Sequence, residues 1–230
     1  SGIKTVFQLG DFGIWHGPWG DKYLSKLRAQ LETCGDMRIF VTLGNHENYD
    51  LIDQMESDEL GIKWPRHNIG LLPRPFRFTQ GSYEFLSLGG APSINYEDLT
   101  MGKNWWPQEQ ITDEEVDLAI SGGPADIMFA HDAPDNGTRV VNDIIAHNPQ
   151  GWSGAGTMYA RVGRDRMTRA VQAVQPQVFM HGHFHEKDSG WLNYGEGTYP
   201  GVIHSIHMNG VPHNIAILDL EDIYSLEEAW

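Results

Sequence analysis

Four short apolar runs constrain this chain more than any other feature, because each has strand length and each stops at a residue able to ligate a metal or move a proton. Thr5-Val6-Phe7-Gln8-Leu9 stops at Gly10-Asp11, and Arg38-Ile39-Phe40-Val41-Thr42-Leu43 stops at Gly44-Asn45-His46-Glu47. Asp126-Ile127-Met128-Phe129-Ala130 runs into His131-Asp132-Ala133-Pro134, and Val178-Phe179-Met180 into His181-Gly182-His183-Phe184-His185. Short apolar runs rich in β-branched and aromatic residues read as buried strands, and the glycines mark sharp exits from them. Between the first two, Leu24, Leu27 and Leu31 recur at helical spacing over Lys22 to Thr33, with Gly35 as the stop. Strand, helix and strand in that order make a parallel crossover unit.

The second half repeats this logic. A loop over about residues 135 to 157 precedes a helix from about Met158 to Val174 that carries four arginines, and that helix returns the chain to the fourth run. The middle differs. Pro65, Pro73 and Pro75 punctuate short runs at Ile69 to Leu72, Phe76 to Phe78 and Tyr83 to Leu88, which fit strands with tight connections. Gly89-Gly90 reads either as a close backbone approach to a ligand or as a turn with unusual dihedrals. Trp105-Trp106 either wall a pocket or pack in the core. Thr112-x-x-Glu115 is a capping-box pattern opening a helix near 113 to 120. Val202 to Met208 and Asn214 to Leu220 close the chain as strands, and no repeat or linker divides it, so residues 1–230 read as a single domain.

Open α/β sheets present ligands at the carboxyl ends of their strands, so the four run ends should meet. Strand alternation would put His181, His183 and His185 on one face. One carboxylate, one carboxamide and several imidazoles form a mixed oxygen and nitrogen set suited to manganese, iron or zinc, and the lack of thiolates argues against structural zinc. The chain has 16 Lys and Arg against 31 Asp and Glu, a net charge of -15, which repels polyanions and disfavours extended nucleic acid. A small anionic ester held by a metal remains compatible with that charge. Cys34 is the only cysteine, which excludes an internal disulfide and fits a reducing compartment. With no run of transmembrane length, a soluble cytoplasmic protein with no membrane partner is expected.

The ordered motifs Gly-Asp11, Gly-Asn-His-Glu at 44 to 47, His131-x-x-Pro134 and Gly-His-x-His at 182 to 185 resemble the second to fifth blocks of the calcineurin-like metallophosphoesterases. Gly10 to Trp15 and His131 to Pro134 look most like bacterial and phage-encoded members. The resemblance implies two packed mixed β-sheets flanked by helices, a four-layer αββα sandwich. It also implies two divalent ions, manganese first with iron or zinc as alternatives, bridged by Asp11. Asn45, His131 and His183 would complete the second site, His185 would belong to the first, and His46 would stand beside the leaving group. Glu47 is a candidate to orient that imidazole, and His181 matches no ligand position.

One departure accompanies the match. The family's first block, Asp-x-His, ends a strand that precedes Gly-Asp11 by one crossover unit, roughly 30 residues. It is absent from this chain, so a domain lacking the first strand, first helix and two first-site ligands is expected, with an open sheet edge that an oligomer could cover. The function implied is hydrolysis of small phosphodiesters or nucleotides by a two-metal-activated hydroxide, with Asp11 and His46 as the catalytic pair. Alternatives are a phosphomonoester phosphatase, or a metal-binding scaffold whose catalysis is weak or lost for want of first-site ligands.

Overall fold

The structure, a computed structural model, describes residues 2–224 and the backbone of 226–228. In chain order the first half gives β1 (Thr5–Leu9), α1 (Gly17–Thr33), β2 (Arg38–Thr42), α2 (Tyr49–Gln54), β3 (Lys63–Arg66), β4 (Ile69–Leu71), β5 (Phe76–Gln80) and β6 (Tyr83–Leu88). The second half gives α3 (Asp113–Ser121), β7 (Ile127–Ala130), α4 (Arg139–His147), α5 (Gly154–Val174), β8 (Val178–His181), β9 (Asp188–Leu192), β10 (Gly201–Ser205), β11 (Ala216–Leu218) and β12 (Leu226–Glu228). Two large sheets result, both mixed. One has four strands in the order β1-β2-β4-β3, the other six in the order β5-β6-β7-β8-β10-β9. Within them β1, β2 and β4 run parallel, as do β6, β7, β8 and β10, while β3, β5 and β9 pair antiparallel at the margins.

The sheets pack face to face through aromatics. Phe7 on β1 lies 5.4 Å from Phe78 on β5 and 4.9 Å from Phe129 on β7, centroid to centroid. Thr42 and Ser87 share a buried hydroxyl hydrogen bond of 2.8 Å across the same interface, which satisfies two polar groups that would otherwise be costly there. Outside this layer, Leu24, Leu31 and Ile52 on α1 and α2 pack with Val41 and Ile69. On the far side Val116, Met167 and Val171 on α3 and α5 pack with Leu86, Met128 and Phe179. Helices, sheet, sheet and helices form the four layers, and each fully buried Leu, Val or Phe stabilises them by roughly 1.5–3 kcal/mol.

The structure corrects some local expectations and decides between alternatives at others. The first helix starts at Gly17 rather than Lys22, because Pro18 suits a first turn and removes a donor that would have no partner. The expected loop over 135 to 157 contains α4, and Asp188–Leu192, which has no apolar run, pairs as an edge strand with β10. Of the two readings of Gly89-Gly90 the unusual dihedral holds at Gly90, whose φ is 101° and whose N donates to Leu43 O, while a Cβ on Gly89 would lie 2.5 Å from Leu43 N. Trp106 packs in the core. Among the described residues no helix is long and apolar enough to cross a membrane.

Candidate metal centre

The carboxyl ends of β1, β2, β7 and β8 point into one cleft, and the residues that follow them are held by a dense set of contacts. Gly10 leaves β1 at φ 88°, and Asp11 follows at φ 50°, a left-handed conformation uncommon outside glycine. The turn directs the Asp11 side chain at the loop after β2, where Oδ1 accepts from the backbone N of Asn45 (3.2 Å) and of His46 (3.1 Å). Two glycines make the approach feasible. A Cβ on Gly44 would lie 2.4 Å from Asp11 N, and one on Gly10 would lie 2.1 Å from His131 Nδ1.

Glu47 stitches the two loops together from beneath. It is fully buried, and its carboxylate accepts from Phe12 N at 2.6 Å and Gly44 N at 2.8 Å. This corrects its expected part: both oxygens hold backbone, and the exposed His46 imidazole does not depend on it. Burial first, and the nearby Asp11 charge second, push the Glu47 carboxyl up to about 7.

His131, after β7, is the centre of the cluster. Its Nδ1 lies 2.6 Å from Leu9 O, an acceptor, so Nδ1 carries a proton. Nε2 then faces Asp11 Oδ1 at 3.1 Å and Asn45 Oδ1 at 3.1 Å. Three lone-pair-bearing atoms therefore converge, and such a meeting is favourable only with a positive charge among them. Burial would lower the His131 pKa, but Asp11 overrides it and raises it to about 9. Burial also works against the Asp11 charge, yet His131 holds that carboxyl well below the usual range.

His183 completes the group, with its ring centroid 4.9 Å from that of His131. Burial first, and His131 second, keep it neutral, with a pKa well below the usual value. The alternation expected along residues 181 to 185 does not hold. Strand β8 ends at His181, and His183 and His185 take φ of 66° and 59°, so the loop reverses between them. His181 is turned away and buried, with Nδ1 on Gly182 O at 3.0 Å, while His185 is exposed.

Asp11, Asn45, His46, His183 and His185 all line one cavity of about 410 Å³. His131 lies just beneath it, bonded to two of them. The far wall comes from residues that sequence reasoning did not single out, among them Ile94, Ile145, Trp152 and Arg164. Two of these belong to α4 and α5, and no motif marks them. Ser93 lines the cavity as well and accepts a hydrogen bond from Asn45 Nδ2 at 3.0 Å.

The donor set suits a divalent cation on one side of the cluster. Asp11 Oδ1, Asn45 Oδ1 and His131 Nε2 already face one another, and a cation bonded to Nε2 would take the place of the proton there. Among the described residues no three or more His, Cys, Asp or Glu side chains close around a common point. The converging set reaches three members only by including a carboxamide. Of the residues expected on the other side, the described chain places Asp11 and the exposed His185 on the cavity wall.

A family model, calcineurin-like phosphoesterase, matches residues 1–187, a span that includes all four strand ends. The chain belongs to that family, and membership implies metal-dependent hydrolysis of phosphoesters. No curated protein matches the chain.

Proposed function

We propose that this calcineurin-like phosphoesterase hydrolyses small phosphodiesters, nucleotide esters among them, and that Asp11, Asn45, His131 and His183 hold one divalent ion while Asp11 and His185 contribute to a second. Bound ions supply Lewis-acid polarisation of phosphoryl oxygens and a water acidified to near neutrality, and manganese suits this oxygen and nitrogen set. The observation that carries the reading is the convergence of Asp11 Oδ1 and Asn45 Oδ1 on His131 Nε2, each at 3.1 Å, at the meeting of three strand ends.

The chain's own groups divide the remaining work. Asp11 is pinned by two backbone amides, so its free oxygen keeps one direction. His131 is oriented by Leu9 O, the kind of outer contact that fixes a ligating imidazole. His46 lines the cavity with an exposed ring, anchored by its own backbone N on Asp11. When protonated it donates to the leaving alkoxide, and an alkoxide needs that proton more than a phenolate does. The cavity volume falls in the range of small-ligand sites, and Trp152 offers a face for a ring on the ester.

The test is a pair of chromogenic esters, bis(p-nitrophenyl) phosphate and p-nitrophenyl phosphate, assayed with Mn2+ and after chelation. Metal-dependent turnover with a higher kcat/KM on the diester is expected. Preference for the monoester would move the assignment to a phosphomonoesterase. Metal binding without turnover of either would leave a metal-binding scaffold.

A further inference from the structure

A buried carboxylate without a part in the chemistry stands one residue behind Asn45. Glu109 is fully buried and accepts four hydrogen bonds, from Ser93 N (2.6 Å), Ser93 Oγ (2.7 Å), Trp105 Nε1 (3.0 Å) and Tyr159 OH (3.2 Å). Ser93, only 2% exposed, accepts in turn from Asn45 Nδ2 at 3.0 Å. Donor and acceptor capacity sets the direction of this chain. At pH 8 the Glu109 carboxylate is ionised and can only accept, so the Ser93 hydroxyl gives its single proton to it. Lone pairs are then all it can offer Asn45. The carboxamide must present its NH2 to Ser93 and turn Oδ1 toward His131 Nε2.

The orientation matters because the two ends of a carboxamide are nearly the same size and only its hydrogen bonds decide which way it lies. A flipped Asn45 would put NH2 where the cluster needs an electron pair. Glutamine at 109 could produce that flip: its NH2 could donate to Ser93 Oγ, free the hydroxyl proton to point at Asn45, and reverse the whole chain.

We propose that Glu109 is a positioning residue for metal binding, acting through Ser93 to lock the Asn45 carboxamide with its oxygen toward Asp11 and His131. The inference rests on the reading of Asn45 as a ligand, and its test separates the two. Mn2+ is titrated by calorimetry at pH 8 into the wild type, Ser93→Ala, Glu109→Gln, the double variant and Tyr159→Phe. Ser93→Ala and Glu109→Gln should each weaken the Kd by about 10–100-fold, as loss of outer-shell support typically does. In the Ser93→Ala background Glu109→Gln should add nothing, since its influence passes through that hydroxyl. Tyr159→Phe, which removes a different donor from the same carboxylate, should leave the Kd unchanged.

A general structural role for Glu109 would instead give additive losses, and that result overturns the proposal. Ser93→Ala deletes only the link and decides the matter even if Glu109→Gln fails to fold: an unchanged Kd there overturns it too. A wild type that binds no Mn2+ overturns the ligand reading of Asn45 itself.

Discussion

Gly44→Ala is the most informative single substitution, because its new Cβ would lie 2.4 Å from Asp11 N and 2.5 Å from Asp11 Oδ1. Relaxed heavy-atom contacts lie near 3.5–4.0 Å, so Asp11 would have to retreat by about 1 Å. Its bonds to Asn45 N and His46 N, already 3.2 and 3.1 Å long, would break. A hydrogen bond to a charged acceptor contributes roughly 1.5–3 kcal/mol, and overpacking alone costs roughly 1–3 kcal/mol. A loss of about 3 kcal/mol or more is therefore expected, a fall in Tm of roughly 6–12 °C for a chain of this size. Mn2+ affinity should fall by at least the roughly 10–100-fold seen when a supporting group is disturbed. Gly154→Ala is the control: its Cβ meets nothing within 4 Å in the first turn of α5, so neither quantity should drop. Thermal melts and calorimetry on both variants decide it. A Gly44→Ala protein that melts with the wild type and binds Mn2+ as tightly would refute the argument that close approach of the two loops builds the site.

Other expectations follow from the same contacts. On an alkyl phosphodiester, whose leaving alkoxide needs a proton, His46→Asn should lower kcat by roughly 10²–10³-fold with little change in Mn2+ affinity, since its work is on charge developing in the transition state; Asp11→Asn should lose metal binding, and equal metal loss in both would make His46 a ligand. Burial raises the Glu109 carboxyl from its ordinary 4.5 to about 7. The folded state then holds a proton that the unfolded chain has released, so stability falls as pH rises from about 4.5 to 7. Glu109→Gln should shrink the wild type's loss between pH 5 and pH 8 by about 2.5 kcal/mol in urea titrations, and an unchanged loss would contradict the assignment. Thr112→Ala removes the hydroxyl of a complete capping box on α3 and should cost about 1 kcal/mol in the same assay. Mn2+ should bind in two steps, the tighter at Asp11, Asn45, His131 and His183, with diesterase activity following the weaker; full activity at one ion per chain would contradict the two-ion reading.

The elements that place the cluster were legible because they are short runs of β-branched and aromatic residues ending in glycine or histidine, and β1 falls on Thr5–Leu9 as expected. Periodicity missed α4, a nine-residue helix whose N-cap Thr138 makes no side-chain bond, and β9, an edge strand with Gly190 at its middle between exposed Ser189 and exposed Trp191. Alternation failed at His183 and His185 because their backbone is left-handed, and nothing in Gly-His-Phe-His signals that in advance. The least legible part is the support behind the cluster. Ser93, Glu109 and Tyr159 lie far apart in sequence and meet only through the tertiary fold, and Glu47 gave no sign that its carboxylate would be spent on Phe12 and Gly44 backbone.

The central claim is that the strand ends form a cation site, and anomalous diffraction from crystals soaked in Mn2+ tests it most directly. The account predicts the strongest anomalous peak within bonding distance of Asp11, Asn45, His131 and His183, with His131 still on Leu9 O through Nδ1. A strongest peak anywhere else, with His131 Nε2 still bonded only to Asp11 and Asn45 at saturating Mn2+, would contradict it.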